Sequence, residues 1–164
     1  MPAPTQQKRG KQRKISQYGY QLIEKQSLRN AYGMRETQFR RYFNIASKFR
    51  GQTGMVLLQI LEKRIDNVIF RAGLAKTRAQ ARQMVSHRRF MYNGTRITVA
   101  STIVKPGDVI EPYKPGIEIL KEIKAPNWLK VDQKTGKIEV TRVPDNDELP
   151  MEFDTQKVIE FYSK

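Results

Sequence analysis

Residues Arg64 to Gly94 read RIDNVIFRAGLAKTRAQARQMVSHRRFMYNG, and this one stretch passes from helical periodicity to a strand and a hairpin turn. Leu57, Leu58, Leu61, Ile65, Val68 and Ile69 recur at intervals of three and four residues, which places them on one face of an amphipathic helix. The spacing predicts that this helix ends near Arg71, with Gly73 as its C-terminal stop. Thr77, followed three residues on by Gln80, has the capping-box pattern and predicts a second helix from about Arg78 to His87. Ala81, Met84 and Val85 form its apolar side; Arg78 and Arg82, four apart, stand together elsewhere and can face a phosphate backbone. Phe90 to Tyr92 then reads as a strand, Asn93-Gly94 as a tight hairpin turn, and Ile97 to Val99 as the returning strand. Two helices against a small antiparallel sheet make this an α+β fold.

Upstream, Tyr18 to Ala31 and Glu36 to Lys48 carry helical patterns separated at Tyr32-Gly33, and Gly51 to Gly54 forms a joint. The first has Leu22, Ile23 and Leu28 beside Lys25 and Arg29; the second has Phe39, Tyr42, Phe43 and Ile45 interleaved with Arg40, Arg41 and Lys48. An aromatic on such a helix is more often core than a base-stacking platform, so Phe39 and Phe43 are assigned to packing. Tyr18 and Tyr32 are retained as RNA-contact candidates, together with the arginines. From Ile103 onward short strands alternate with turns: Lys105-Pro106-Gly107-Asp108 turns into Val109-Ile110, and Lys114-Pro115-Gly116 turns again. Trp128, Leu129 and Val131 make a strand that Lys134 to Lys137 turns into Ile138 to Val143. Pro144 to Pro150 is an acidic connection, after which Asp154 is placed to cap a final helix through Tyr162.

Charge decides the class of partner. The chain has 31 Lys and Arg against 16 Asp and Glu, a net charge of +15. Residues 1–100 hold 21 of the basic residues and 4 of the acidic ones, so a polyanion is expected to meet the first two thirds. A membrane surface is the weaker alternative, because the basic helices carry much polar surface and no apolar run reaches the length of a transmembrane span. With no cysteine there is no disulfide and no thiolate metal site, and no cofactor is expected. His87 is the only histidine and has no cysteine nucleophile to activate; a hydrogen bond to RNA suits it better than a catalytic triad. Gly10, Gly19, Gly33 and Gly51 are isolated and lack the strand-to-helix setting of a phosphate loop. The opening MPAPTQQKRGKQRK has no apolar secretory core, and its Pro2 and Pro4 argue against a transit helix. Residues 1–14 therefore read as a basic arm that tracks RNA and is ordered on binding.

The segment from Arg64 to Gly94 closely resembles the RNA-binding domain named after the fourth protein of the small ribosomal subunit. The resemblance extends to SQYGYQLIEKQSLRNAYGMRETQFRRYFNIASKFRGQTG from Ser16 to Gly54, to APNWLKVD from Ala125 to Asp132 and to the ending VIEFYSK from Val158 to Lys164. Nearly the whole chain from about Lys11 is covered, and it is similar to that ribosomal family in its bacterial-type form, with a shortened N-terminus. Many relatives carry longer N-terminal extensions, some with cysteines that bind metal; those ligands are not in this chain.

The resemblance implies an organisation as well as a role. Residues 15–54 and 144–164 form a helical domain completed by the C-terminal helix, and residues 55–143 form the RNA-binding domain inserted in it. It implies a structural constituent that binds a helix junction in the 5′ domain of 16S ribosomal RNA, nucleates small-subunit assembly and touches the fifth small-subunit protein, with an effect on decoding accuracy. The rRNA-binding candidates are Tyr18, Lys25, Arg29, Tyr32, Arg35, Arg40, Arg41, Lys48, Arg64, Arg71, Thr77, Arg78, Arg82, His87, Arg88, Arg89 and Asn93. Lys11 and Lys14 match positions that line the messenger-RNA entry channel, and Glu160 and Tyr162 are candidates for the protein interface. The implied location is the small subunit of a cytoplasmic ribosome, an organellar ribosome being compatible too. A pseudouridine synthase sharing this accessory module would need a separate catalytic domain. Asp66 is instead expected to orient a neighbouring cation among Arg64, Arg88 and Arg89. A free RNA-binding recycling factor would not share the first domain and the ending.

Overall fold

The computed structural model describes residues 14–163. It has the order α1 (Gln17–Ala31), α2 (Glu36–Ala46), α3 (Thr53–Glu62), α4 (Ile65–Arg71), α5 (Arg78–Ser86), β1 (Phe90–Tyr92), β2 (Thr95–Arg96), β3 (Val109–Pro112), β4 (Leu129–Val131), β5 (Ile138–Val140) and α6 (Thr155–Tyr162). The basic arm expected over residues 1–14 lies outside the described residues except for Lys14, which is exposed.

Two apolar cores divide these elements. In the first, Leu28, Phe39, Tyr42 and Phe43 meet Leu57, Leu58 and Leu61 of α3 and Val158 of α6. The C-terminal helix thus returns across the chain to pack on α1 and α3. Its Tyr162 ring lies 4.5 Å from that of Phe43. The second core joins Ile65, Val68 and Ile69 of α4 and Ala81 and Val85 of α5 to Phe90, Ile110, Trp128, Ile138 and Val140 of the sheet. The sheet is antiparallel, in the order β2-β1-β3-β5-β4. Along β5 the alternation of buried Ile138 and Val140 with exposed Glu139 is the period of a sheet covered on one face.

The single helix expected from Leu57 to Arg71 is broken, because Arg64 is extended at φ −66°, ψ 141°. At the break the carbonyl of Lys63 accepts from the Val104 N–H and the Ile65 N–H donates to Thr102, so Arg64 pairs with Ile103 as an isolated bridge. Those hydrogen bonds compete with helix continuation, and three-and-four spacing gives no sign of them because both halves remain helical. The break also separates two faces: Leu57, Leu58 and Leu61 enter the first core, and Ile65, Val68 and Ile69 the second.

Other differences are local. Asn93 (φ 51°) and Gly94 (φ 84°) make the expected two-residue turn, but its partner strand is Thr95–Arg96 rather than Ile97 to Val99. A two-residue loop pairs the residues directly beside it, here Tyr92 with Thr95. The Thr77 hydroxyl caps α5 by accepting from the Gln80 N–H at 2.9 Å. The reciprocal bond goes elsewhere, since the Gln80 side chain accepts from Lys76, one residue before the cap. Asp154 holds the N-cap position of α6 without a side-chain capping bond; its backbone N–H donates to Glu24 at 2.7 Å. The strand expected over Ile138 to Val143 stops at Val140, and Asn146–Glu148 in the acidic connection is a short 3-10 turn.

Candidate nucleic-acid interface

The basic side chains singled out in the sequence fall into two sets, one enclosed and one open. The enclosed set lies along the seam where α1, α3, α4 and α5 meet. Glu62, the last residue of α3, is 1% exposed. It accepts from the Tyr32 hydroxyl, from Asn67 Nδ2 at 2.9 Å and from Arg71 Nη2 at 2.9 Å. Asp66 is 1% exposed and accepts from Arg64 through Nε at 3.2 Å and Nη2 at 3.0 Å, from Arg82 Nε at 3.4 Å and from the Asn67 N–H. Burial lowers the Arg64 guanidinium, but hydrogen bonds and charge from Asp66 outweigh it and hold the group above the ordinary arginine range. Burial, reinforced by the Glu62 charge and hydrogen bond, pushes the Tyr32 phenol far up, so it is a permanent donor.

Arg78 and Arg82, expected to point together at phosphates, reach across this seam. Arg78 Nη1 donates to the carbonyl of Ala31 at 3.0 Å and its Nε to Asn67 Oδ1 at 2.9 Å. Its guanidinium lies 4.3 Å from the Tyr32 ring centroid and 4.7 Å from that of Phe70. Arg82 Nη2 donates to the carbonyl of Tyr32 at 3.1 Å. Both acceptors are at the C-terminal end of α1, where the helix dipole favours positive charge. A Cβ on Gly33 would come within 2.5 Å of Arg82 Nη2, so the chain leaves the guanidinium this space by having none.

Several other candidates are likewise engaged within the chain. Lys25 is buried and, with Arg29, donates to Glu36 at 2.8 and 3.0 Å. Tyr32, proposed from sequence as an RNA contact, is 1% exposed and offers no ring face to a base. Thr77 spends its hydroxyl on the cap. Asn93 spends its amide on the hairpin, donating to Asp108 at 3.1 Å and accepting from the Val109 N–H at 2.8 Å. Asp66 orients Arg64 as expected and Arg82 in addition, while Arg88 and Arg89 do not reach it. At the far end Glu160 accepts from Gln21 at 3.1 Å, and the Tyr162 hydroxyl donates to Glu36 at 2.8 Å.

The open set forms two concavities. Arg40 and Arg41 are exposed on α2 and line one with Glu36, Thr37 and Asn44; Arg35 and Lys48 are exposed at the two ends of that helix. None of these four side chains makes a hydrogen bond or ion pair among the described residues. His87, Arg88 and Arg89, in the turn from α5 into β1, line the second, a hollow of about 380 Å³. Arg88 has φ 61°, the left-handed region that costs a side-chain-bearing residue about 1–2 kcal/mol. The sequence reading did not single out Arg50, Arg96 or Lys114. Arg50 is exposed just beyond α2. Arg96 and Lys114 line the second hollow, and Arg96 lies 3.6 Å from the Tyr113 ring centroid. Arg50 lies two residues after Lys48, so helical spacing does not group it with Arg41 and Lys48. Arg96 is the second residue after the Asn-Gly turn, but Lys114 is joined to the site only by the β1–β3 pairing. Tyr18 is half-exposed, with its ring 5.6 Å from that of Phe161. Among the described residues no cluster of histidine and carboxylate side chains is arranged to hold a metal ion, and no helix is long and apolar enough to cross a membrane.

Two family models match the chain side by side: the ribosomal protein S4/S9 N-terminal domain over residues 2–62 and the S4 domain over residues 63–110. Their meeting point is the break between α3 and α4. The chain is 44% identical to the small ribosomal subunit protein uS4 of Dictyoglomus turgidum, an alignment covering 99% of this chain and 82% of that protein. It is 46% identical to the uS4 of Herpetosiphon aurantiacus over 94% of this chain and 78% of that one. For the uS4 of Aquifex aeolicus the figures are 41%, 99% and 83%.

Proposed function

Because this chain belongs to the uS4 family of small ribosomal subunit proteins, structural and non-enzymatic constituents that bind ribosomal RNA, we propose that it is a primary binder of a helix junction in the 5′ domain of 16S ribosomal RNA. On this reading its early binding nucleates assembly of the small subunit. The observation that carries the proposal is the pair of open basic concavities, Arg40 with Arg41 on α2 and His87 to Arg89 after α5, in the strongly basic part of the chain. Arginines without an internal partner are free to pair with phosphates, and each phosphate neutralised releases condensed counterions. Recognition by shape follows from the target, since the deep, narrow major groove of an RNA helix hides its base edges from side chains. We place the boundary between the two binding units at Lys63–Arg64, where the cores change, rather than at residue 54.

The finer contacts belong to the same proposal. The fifth small-subunit protein is expected beside α6, where Glu160 and Tyr162 brace the helix against α1 and α2 rather than standing free for a partner. Lys14 and Lys11 are the proposed contacts to messenger RNA at its entry channel, and the proposed location is the cytoplasmic ribosome.

The test is salt-dependent binding of the chain to a transcript of the ribosomal 5′ domain and to an equally long transcript whose junction is disrupted. Preference for the intact junction is the expected result; equal affinity for both would reduce the chain to a general RNA binder.

A further inference from the structure

We propose that Arg78 and Arg82 are positioning residues that set junction specificity by clamping α5 to the end of α1, and that they do not contact RNA phosphates. The inference rests on the functional reading above. It reverses the expectation that a pair of arginines four apart on a basic helix faces the ligand.

Each guanidinium has two of its three nitrogens bonded inside the chain, although the Arg82 side chain is 34% exposed. Arg78 is held by the Ala31 carbonyl and Asn67, between the rings of Tyr32 and Phe70. Arg82 is held by the Tyr32 carbonyl and Asp66, in the space left by Gly33. The residues they grip also belong to the buried network. Tyr32 donates to Glu62 of α3, Asn67 of α4 donates to the same carboxylate, and Asp66 holds Arg64, which reaches the Tyr42 hydroxyl of α2 at 3.3 Å. The two clamps therefore tie α5, which packs on the sheet, to α1 and α2 of the helical layer. A junction is recognised through the spacing and angle of its helices, so a binder needs its two basic surfaces at a fixed relative position. A planar five-donor fork suits such a clamp better than an ammonium, which keeps charge but cannot bridge two fixed acceptors and stack between rings.

Two double variants separate the clamp from direct contact. Arg78→Lys with Arg82→Lys keeps both charges, and Arg78→Met with Arg82→Met removes them. Each is compared with the unsubstituted chain on the intact and disrupted 5′-domain transcripts across a salt series. The clamp predicts that both variants lose about tenfold in preference for the intact junction, while the slope of log affinity against log salt stays that of the parent. Direct phosphate contact predicts that the lysine pair keeps the preference and the methionine pair loses about 1.4–1.8 from the slope, about 0.7–0.9 per phosphate; that result overturns the proposal. If the methionine pair does not fold, the lysine pair decides alone.

A second readout uses the absence of cysteine. Spin labels at Asn44→Cys on α2 and Lys130→Cys on β4, both exposed, report the distance between the layers. A broadened distance distribution in the lysine pair supports the clamp, and an unchanged one overturns it. A parent chain with no junction preference would overturn the functional reading, whereas a parent preference kept by both variants would overturn the clamp alone.

Discussion

At the seam, Arg64, Arg71, Arg78 and Arg82 each end on a carboxylate, amide or carbonyl oxygen; on the face of α2, Arg40 and Arg41 end on none. Both regions are rich in arginine and follow helical spacing, yet one holds the chain together and the other is open to a polyanion. The scarce acids make the difference. Residues 1–100 contain 4 acidic side chains, and Glu36, Glu62 and Asp66 among them gather Lys25, Arg29, Arg71, Arg64 and Arg82. In a chain this basic, a cation is held in the interior where an acid or, as for Arg78, an amide and a backbone carbonyl reach it. Net charge alone does not sort them.

The largest effect that can break this contrast is on the seam. Asp66→Ala leaves Arg64, 3% exposed, without its carboxylate and is expected to cost about 3–5 kcal/mol in urea unfolding. A loss under about 0.5 kcal/mol would mean that the seam is no more structural than an ordinary surface site. Next comes Tyr32→Phe, which keeps the ring against Arg78 and deletes the hydroxyl that donates to Glu62 and lies beside Arg71. The expected loss is about 1.5–3 kcal/mol, the range for a hydrogen bond to a charged group, with no change in the salt slope of RNA binding.

On the open side the signs exchange. Arg40→Gln with Arg41→Gln is expected to move unfolding stability by no more than about 0.5 kcal/mol. It should lower the salt slope of RNA binding by about 0.7–0.9 per residue. Stability lost without a change of slope would move α2 into the structural class.

The smallest effect concerns pH. Burial raises the Glu36 carboxyl, but hydrogen bonds from Lys25, Tyr162 and Arg29 outweigh it and leave it below the ordinary glutamate range. A carboxylate lowered on folding stabilises fully above its unfolded pKa, and that contribution is lost as pH falls through its folded value. The Glu36→Gln chain should therefore show a shallower fall in stability below the ordinary carboxylate range, with the two acid curves converging as pH drops. Parallel curves would remove Glu36 from the group of organising acids.

Much of the fold was legible in the sequence because its signals are local. Tyr18 to Ala31 and Glu36 to Lys48 became α1 and α2 to within a few residues, Thr77 caps α5, and Asn93-Gly94 makes the hairpin. The break at Lys63–Arg64 was not legible, since it depends on backbone bonds to Thr102 and Val104, about forty residues away in the chain. The open set of basic residues, of which Arg35, Arg40, Arg41, Lys48, Arg88 and Arg89 are exposed, was readable by residue type. The enclosed half was not: Ala31 and Tyr32 meet Arg78 and Arg82 only after α1 and α5 have packed, and their acceptors are backbone carbonyls that no side-chain pattern announces.

Arginine reactivity along the chain tests the division most directly. The protein is treated with an arginine-selective dicarbonyl reagent, free and bound to the 5′-domain transcript, and modification at each site is read by mass spectrometry. The account predicts that Arg40, Arg41, Arg88 and Arg89 react in the free chain and are protected by RNA, while Arg64 stays unreactive in both states and Arg78 and Arg82 gain no protection on binding. Free reaction at Arg78 and Arg82 that RNA suppresses, with Arg40 and Arg41 unaffected, would contradict it.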